Sequence, residues 1–593
     1  MAGNSVGVAG DPHDPTVRPS SEQVRAELEK ICASRLFIRS DRLRRFLRFT
    51  VENALNGELD QLNEQVIGRD VFDRKKGYDP QIDSIVRVEA RRLRSKLADY
   101  YRAPGASDPV QITLEKGGYV PAFRYVTPSA PPRKSAPDVR TVAVLPFVNL
   151  SSDPDQDFFC DGITEEILNA LTTIPELNVV ARTSVFHFKG AGVDVREIGE
   201  RLGAGTVIEG SVRKADSRLR ISAKAINAIT GLSLWSGTYE RDLIDVFAIQ
   251  DEIARAIADS LRVSLAPPAA ETRHDRDFEG YMLYLRGRHY WNQMSQDGIE
   301  NALNQFTRAI ALFPDYAPPY AALADAYGHL ASWGAIPPGE ATSRAKQAAL
   351  DALRLDDRLA DAHATMGAIL SFFEWKWEEG AALLTRAIGL QPSNVHAHEL
   401  FAIHFMYRGE FEKALTCINK ALQLDPLSPR GLRFKAGYYS NQRRYDEAID
   451  VLRAALPLGR DSTDREALFL LGSLYTLQGR YKEAIEILEK LPEGPFLVTK
   501  LGAVGEANAR AGNAGAAQEA LKTLDHLAAT EYVSPRSAVY IHAGLGNWDR
   551  ALEELDKACT DHCPWLPTIN IDPRFDAVRA HPRFINLQRR MNL

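Results

Sequence analysis

Five basic side chains crowd one short stretch, SIVRVEARRLRSKLADYY: Arg87, Arg91, Arg92, Arg94 and Lys96. Guanidinium groups can bond guanine edges in pairs, and both residue types can neutralise phosphate, so the chemistry on offer is recognition of a polyanion. Lys116, in VQITLEKGGYVPAF, adds a sixth cation. A second set, His396, Glu399, Met406, Arg430, Arg433 and Asn441, recurs on helices of one repeating type and suits contact with a protein or peptide. Other combinations point toward catalysis or metal binding and fail on spacing. Asp161, Glu165 and Glu166 are expected to be a solvated helix start, because adjacent acids on a helix point apart. Cys559, His562 and Cys563 with His542 lack the second close pair of a closed zinc site. His396, His398 and His404 lack the HExxH spacing and are expected in a groove or in packing. Gly199, Gly203 and Gly205 follow a helix and precede a strand, the reverse of the order that cradles a phosphate. No cofactor, metal or catalytic role is therefore expected.

The basic stretch needs an element to display it. Val86, Ala90, Leu93 and Leu97 recur at steps of 4, 3 and 4, a core-facing helical stripe. Ser84, Val88, Arg91, Arg92 and Ser95 fall on the opposite side, flanked by Arg87 and Arg94. Upstream, SDRLRRFLRFTVENALNG reads as an amphipathic helix capped by Ser40, with Leu43, Phe46, Leu47, Thr50, Val51 and Ala54 inward. A shorter helical piece, NEQVIGRDVF, follows. Downstream, Val110, Ile112 and Leu114 alternate, the chain turns at Lys116-Gly117-Gly118 and returns through Tyr119 and Val120, a β-hairpin. From Arg35 to Arg124 there are 18 Lys/Arg against 13 Asp/Glu, a basic segment on a chain of net charge −6.

Three helices and a terminal hairpin, with RRLRSKL (Arg91 to Leu97) and Gly118-Tyr119, resemble the winged-helix effector domain of OmpR-type response regulators. The resemblance implies a recognition helix in the major groove of double-stranded DNA, a wing at the adjacent minor groove, and a loop that can meet RNA polymerase. Carried over, Arg87, Arg91 and Arg92 face bases or nearby phosphates, Arg94 and Lys96 face phosphates, and Lys116 supplies the wing contact. The sequence departs from the family in having lysine at 116, no receiver domain and no membrane span.

From Thr141 the chain reads as strand TVAVLPF, helix DGITEEILNALTTI, strand LNVVARTS, helix DVREIGERLG, three strands GTVIEGSVRK, RLRISAKAIN and LSLWSGTYER, and helix FAIQDEIARAIADSL. A mixed α/β domain is the natural assembly. AVLPFVNLSSDPDQDFFCDGITEEI and VIEGSVRK resemble the TolB amino-terminal-like domain, which implies a module and no particular ligand.

The remainder repeats itself. GEFEKAL, RRYDEAI, GRYKEAI, GNAGAAQ and GNWDRAL place Ala414, Ala448, Ala484, Ala517 and Ala551 at steps of 34, 36, 33 and 34 residues, the tetratricopeptide period. Phe411, Tyr445, Tyr481 and Trp548 stand three residues earlier, and Trp377 with Gly380 extends the series. The alanine marks the close approach of two helices and the aromatic fills the gap to the next hairpin. About eight repeats are expected, with DPRFDAVRAHPRFINLQRRM as a capping helix.

The whole is read as a multidomain, mainly α chain: a disordered tail (1–20), a winged-helix domain (21–125), a linker (126–140), an α/β domain (141–265), a linker (266–275), an α-solenoid (276–560) and a cap (561–593). At 593 residues, 45% apolar and 25% charged, several globular domains are expected. Apolar runs are far shorter than the roughly 18 to 20 residues that span a bilayer. The amino terminus does not read as a secretory signal, and five scattered cysteines do not make a disulfide framework, so a reduced, cytoplasmic setting is expected. The expected function is DNA-binding transcriptional regulation with partner proteins or a signal at the repeats and α/β domain. The alternatives are an interaction scaffold without DNA binding, and a regulatory protein related to cyclase-associated repeat proteins.

Overall fold

The structure, a computed structural model, describes residues 19–593 apart from 35–36, 39, 75–77, 80–82, 103–107, 115–117, 126–137, 139, 152–155, 173, 175, 216–217, 243–245, 262–277, 294–295, 459–463, 493 and 495. The expected tail and both expected linkers lie largely or wholly outside the described residues. The chain divides into two compact units, residues 1–136 and 137–593.

The first unit packs α1 (Ser21–Ala33), α2 (Asp41–Leu55), α3 (Glu64–Asp70), α4 (Ile85–Arg102) and an antiparallel hairpin of β1 (Val110–Leu114) and β2 (Pro121–Tyr125) around one core. Val86, Ala90, Leu93 and Leu97 are buried as the stripe requires, against Leu28 and Ile31 of α1, Phe46 and Leu47 of α2 and Ile112 of β1. Three features depart from the sequence reading. Helix α1 was missed; its start is marked by a capping box in which Ser20 and Gln23 bond each other's backbone N–H. Ser40 stands at the N-cap of α2 but its hydroxyl makes no capping bond. Tyr119 and Val120 belong to the connection, because the register opposes Leu114 to Pro121, which opens β2 where its missing N–H costs no ladder bond.

The second unit begins with a six-stranded sheet in the order β5 (Asn178–Val179), β3 (Thr141–Val144), β6 (Thr206–Ala215), β7 (Arg218–Asn227), β8 (Ser233–Asp242), with β4 (Val148–Asn149) also on β6. β3 is parallel to β5 and β6, and β6, β7 and β8 are antiparallel. Four helices accompany it: α5 (Asp157–Thr172), α6 (Arg182–Phe186), α7 (Val195–Leu202) and α8 (Val246–Ser260). The expected strand LNVVARTS shrinks to two residues, and its end becomes α6 because Ser184 is drawn to the repeats: its N–H donates to Asp425 at 3.0 Å, and Leu427 N–H donates to its hydroxyl. Gly199 lets α7 approach Ala228 just after β7, since a Cβ there would come within 2.4 Å of Ala228 Cβ, and Gly203 ends α7 in the left-handed conformation.

Eight helical hairpins follow among the described residues: α9 (Phe278–Trp291) with α10 (Gln296–Leu312), α11 (Ala317–Trp333) with α12 (Pro338–Leu355), α13 (Ala360–Phe372) with α14 (Trp377–Leu390), α15 (Val395–Tyr407) with α16 (Phe411–Leu424), α17 (Pro429–Asn441) with α18 (Tyr445–Ala455), α19 (Arg465–Leu477) with α20 (Tyr481–Leu488), α21 (Leu497–Arg510) with α22 (Ala514–Leu527), and α23 (Arg536–Gly544) with α24 (Trp548–Thr560). The recurring aromatic is the first residue of α14, α16, α18, α20 and α24, and the recurring alanines are fully buried. Five hairpin turns use a positive-φ glycine (Gly334, Gly409, Gly479, Gly512, Gly546); the fifth hairpin has Arg443 there, at φ +60°, with its side chain on Asp576.

Two packing features were not foreseen. The sheet and first hairpin share one core: Ile163 and Ile167 of α5 join Tyr281, Leu285 and Phe306, and a Cβ on Gly162 would meet Leu285 at 2.4 Å. The carboxyl-terminal segment, which ends in α25 (Pro582–Arg590), does more than cap the last hairpin. Phe575, Phe584, Leu587 and Met591 pack with Phe372, Phe373 and Trp377, and Trp377 Nε1 donates to Met591 O at 2.7 Å. Asn592 and His562 bond the backbone carbonyls of Trp375 and Phe373. The end of the chain thus ties the eighth hairpin to the third.

Candidate functional site

Helix α4 begins where Asp83 Oδ1 accepts from Ile85 N–H at 3.0 Å, and its apolar stripe fixes its rotation about its own axis. That rotation leaves Arg87, Val88, Arg91 and Arg92 exposed. Arg92 is held by Glu89 at 2.8 Å and Arg87 by Glu64 of α3 at 3.4 Å, while Arg91 makes no hydrogen bond or ion pair among the described residues. Two further cations of the helix, Arg94 and Lys96, have structural partners. Arg94 Nε donates to Leu114 O at 3.0 Å and Nη2 to Gly118 O at 2.7 Å, so its guanidinium is engaged by the hairpin rather than held out for phosphate. Lys96 Nζ donates to Ser40 Oγ and lies over the Phe37 ring. Both shift from expected phosphate contacts to ties within the head, because their positions turn back toward the neighbouring elements. Lys116 lies outside the described residues.

The second candidate set gathers on the first helices of the hairpins. His396 Nε2 and His329 Nδ1 lie 3.2 and 3.3 Å from the same Asp325 oxygen. Arg430 reaches the far side of both rings, at 3.4 Å from His329 Nε2 and 3.5 Å from His396 Nδ1, and its Nε lies 3.0 Å from buried Glu399. Burial opposes the charge on Asp325, but the two imidazoles hold its carboxyl well below the ordinary range; burial likewise opposes a charged His396, and Asp325 raises its pKa nonetheless. Arg433 spans Asp464 and Glu466 at 2.7 and 2.6 Å, Asp464 also caps α19, and Glu466 accepts from Trp333 Nε1 at 3.0 Å. These bonds join α11 to α15, α17 and α19, so four of the six expected partner residues, His396, Glu399, Arg430 and Arg433, bridge successive turns of the stack. Asn441 ends α17 half-buried and takes no part in this network. Met406 is a correction: it is buried among Ala402, Ala414 and Ile418, since its place on α15 faces the partner helix.

The acids expected on a solvated helix start are also corrected. Asp161 and Glu165 are buried: Asp161 pairs with Lys189 and lies 3.7 Å from His289, and Glu165 pairs with Arg182 and Arg288. Their helix is covered by the first repeat, which the sequence of α5 alone could not announce. Of the carboxyl-terminal cluster, His562 stacks on Trp375 and Cys563 lies 3.7 Å from Tyr532 Oη. His404 is buried against Ser371 and Trp377, and burial pushes its pKa down to about 4.

Comparison with known proteins identifies the repeats. Two tetratricopeptide repeat family models match residues 399–464 and 441–494. A Rhizobium meliloti (strain 1021) protein named as a candidate adenylate cyclase 3 is 36% identical over 249 residues, 41% of this chain and 42% of that protein. Transcriptional regulator HilA of Salmonella typhimurium is 31% identical over 145 residues, 24% of this chain and 26% of that protein. The chain thus spans less than half the length of these curated relatives. Among solved structures, Pseudomonas aeruginosa PilF (20% identity, TM-score 0.27) covers 37% of this chain and 92% of its own. An IFIT1 monomeric mutant (14% identity, TM-score 0.40) covers 59% and 80%. No helix among the described residues is long and apolar enough to cross a membrane. The chain carries tetratricopeptide repeats in a mainly helical carboxyl-terminal region, behind a sheet-containing middle region, and is in part similar to a transcriptional regulator.

Proposed function

We propose that this protein is a cytoplasmic transcription regulator that binds double-stranded DNA through a winged-helix head, and that its TolB-like region and repeats receive a partner protein or signal. The observation that carries the reading is the two-sided character of α4: one stripe wholly buried, the other side exposing Arg87, Arg91 and Arg92. An exposed helix face of this composition fits the major groove, and the winged-helix resemblance adds a hairpin contact in the neighbouring groove and a contact with RNA polymerase. Partial similarity to HilA supports the same reading. The reading assigns no catalysis.

The test is a gel shift of the full chain over a salt series. Affinity should fall by roughly 0.9 log units per log of salt for each phosphate contacted. A flat salt response, or binding of duplex no better than an acidic protein control, favours the alternative of a scaffold that does not bind DNA. For the repeats, the proposed partner is a protein or peptide. Because Arg430 and Arg433 bridge turns of the stack, an Arg430→Ala/Arg433→Ala chain should lose partners in a pull-down; an unchanged partner set removes these arginines from the docking surface.

A further inference from the structure

Three bonds converge on the described ends of the β1–β2 connection. Arg94 of α4 donates to two carbonyls there, Leu114 O at the end of β1 at 3.0 Å and Gly118 O within the connection at 2.7 Å. On the other flank, Tyr119 Oη donates to Glu64 Oε1 at 2.6 Å, and the same carboxylate meets Arg87 of α4 at 3.4 Å. Glu64 is the first residue of α3 and only a quarter exposed. A guanidinium with two donors on separate carbonyls fixes distance and angle at once, which an ammonium cannot do. The phenol lengthens the same clamp: its ring sits 6.4 Å from Phe46 in the core, and burial with the Glu64 bond keeps it protonated as a donor.

We infer that Arg94 and Glu64 are positioning residues that set where the hairpin meets DNA relative to α4. The inference rests on the DNA-binding reading above. Neither residue touches DNA; Arg94 holds Leu114 and Gly118, and Glu64 holds Tyr119, at a fixed offset from the helix, so that groove and flank are engaged together. Arg94, whose residue type suggests a phosphate contact, is instead spent inside the head.

The experiment uses the full chain and a duplex selected by the wild-type protein from a random-sequence pool. Two footprints are read: dimethyl sulfate protection of guanine N7 in the major groove, and hydroxyl-radical protection of the flanking minor groove. Arg94→Lys, Arg94→Gln, Glu64→Gln and Tyr119→Phe should all keep the first and lose the second, with affinity down about tenfold, the loss expected when one contact is given up. Arg94→Lys is decisive because lysine keeps the charge but not both bonds. If Arg94→Lys behaves as wild type while Arg94→Gln does not, Arg94 is a phosphate contact and the inference falls. It falls also if Tyr119→Phe, which leaves every charge in place, keeps both footprints. A variant that loses both footprints and melts early points to a merely structural role and overturns the positioning claim. If the wild-type chain selects no duplex, the DNA-binding reading itself fails, which is a different result from any of these.

Discussion

Arg430 is the hub of the repeat network, and removing it should cost more than a surface arginine does. Arg430→Ala deletes the contact at 3.0 Å to Glu399 and the approaches to His329 and His396, leaving a carboxylate whose residue is 4% exposed. Breaking a fully buried ion pair costs about 3–5 kcal/mol. The Arg430 side chain is 29% exposed, so water can reach the vacated side, and the cost should be about 2–3 kcal/mol. In a linear stack a loss is felt locally, but this network ties the second hairpin to the fourth and fifth. Amide exchange in α11, α15 and α17 should therefore accelerate together, by roughly 30- to 140-fold at tenfold per 1.4 kcal/mol, with α22 and α24 little changed. Adding Glu399→Gln to Arg430→Ala removes the orphaned charge and should recover most of the protection. The reasoning fails if the double variant exchanges as fast as the single one, or if only α17 responds.

Three further outcomes follow from the geometry. Lys96→Ala should leave the salt dependence of DNA binding unchanged while lowering the head's unfolding free energy by about 1 kcal/mol, since Lys96 is bonded to Ser40; a flatter salt slope would return it to the phosphate contacts. Glu27 is 2% exposed, and burial together with the nearby Asp108 raises its pKa from 4.5 to about 7. Between those values the folded head retains a proton that the unfolded chain has released, so stability should fall as pH rises through that window, by about 3 kcal/mol in all. Glu27→Gln should abolish most of that slope in thermal melts of residues 1–136, and an unchanged slope would assign it elsewhere. Ala448→Trp, at a fully buried position between Ala436, Leu452 and Ala467, should cost about 1–3 kcal/mol or more, with exchange rising chiefly in α17 to α19; unaltered exchange there would contradict the packing role of the repeat alanines.

What the sequence alone determined was everything with a period. Val86, Ala90, Leu93 and Leu97 declared which side of α4 is buried, and hence that Arg87, Arg91 and Arg92 face outward. The spacing from Ala414 to Ala551 declared the hairpins, down to the aromatic that begins the second helix of five of them. Local chemistry also marked α1, through Ser20 and Gln23, although that signal is short enough to pass unread beside the longer helix after it. Tertiary structure decided what has no period. That Arg94 and Lys96 bond the hairpin and Ser40, that Asp161 and Glu165 are buried beneath the first repeat, and that Trp377 donates to Met591 all depend on residues brought together from 20 to more than 200 positions apart. A side chain's type sets which bonds it can make. Which it does make depends on the element that arrives beside it, and a charged residue read as a site becomes a tie when a buried carbonyl or carboxylate reaches it before solvent or a ligand can.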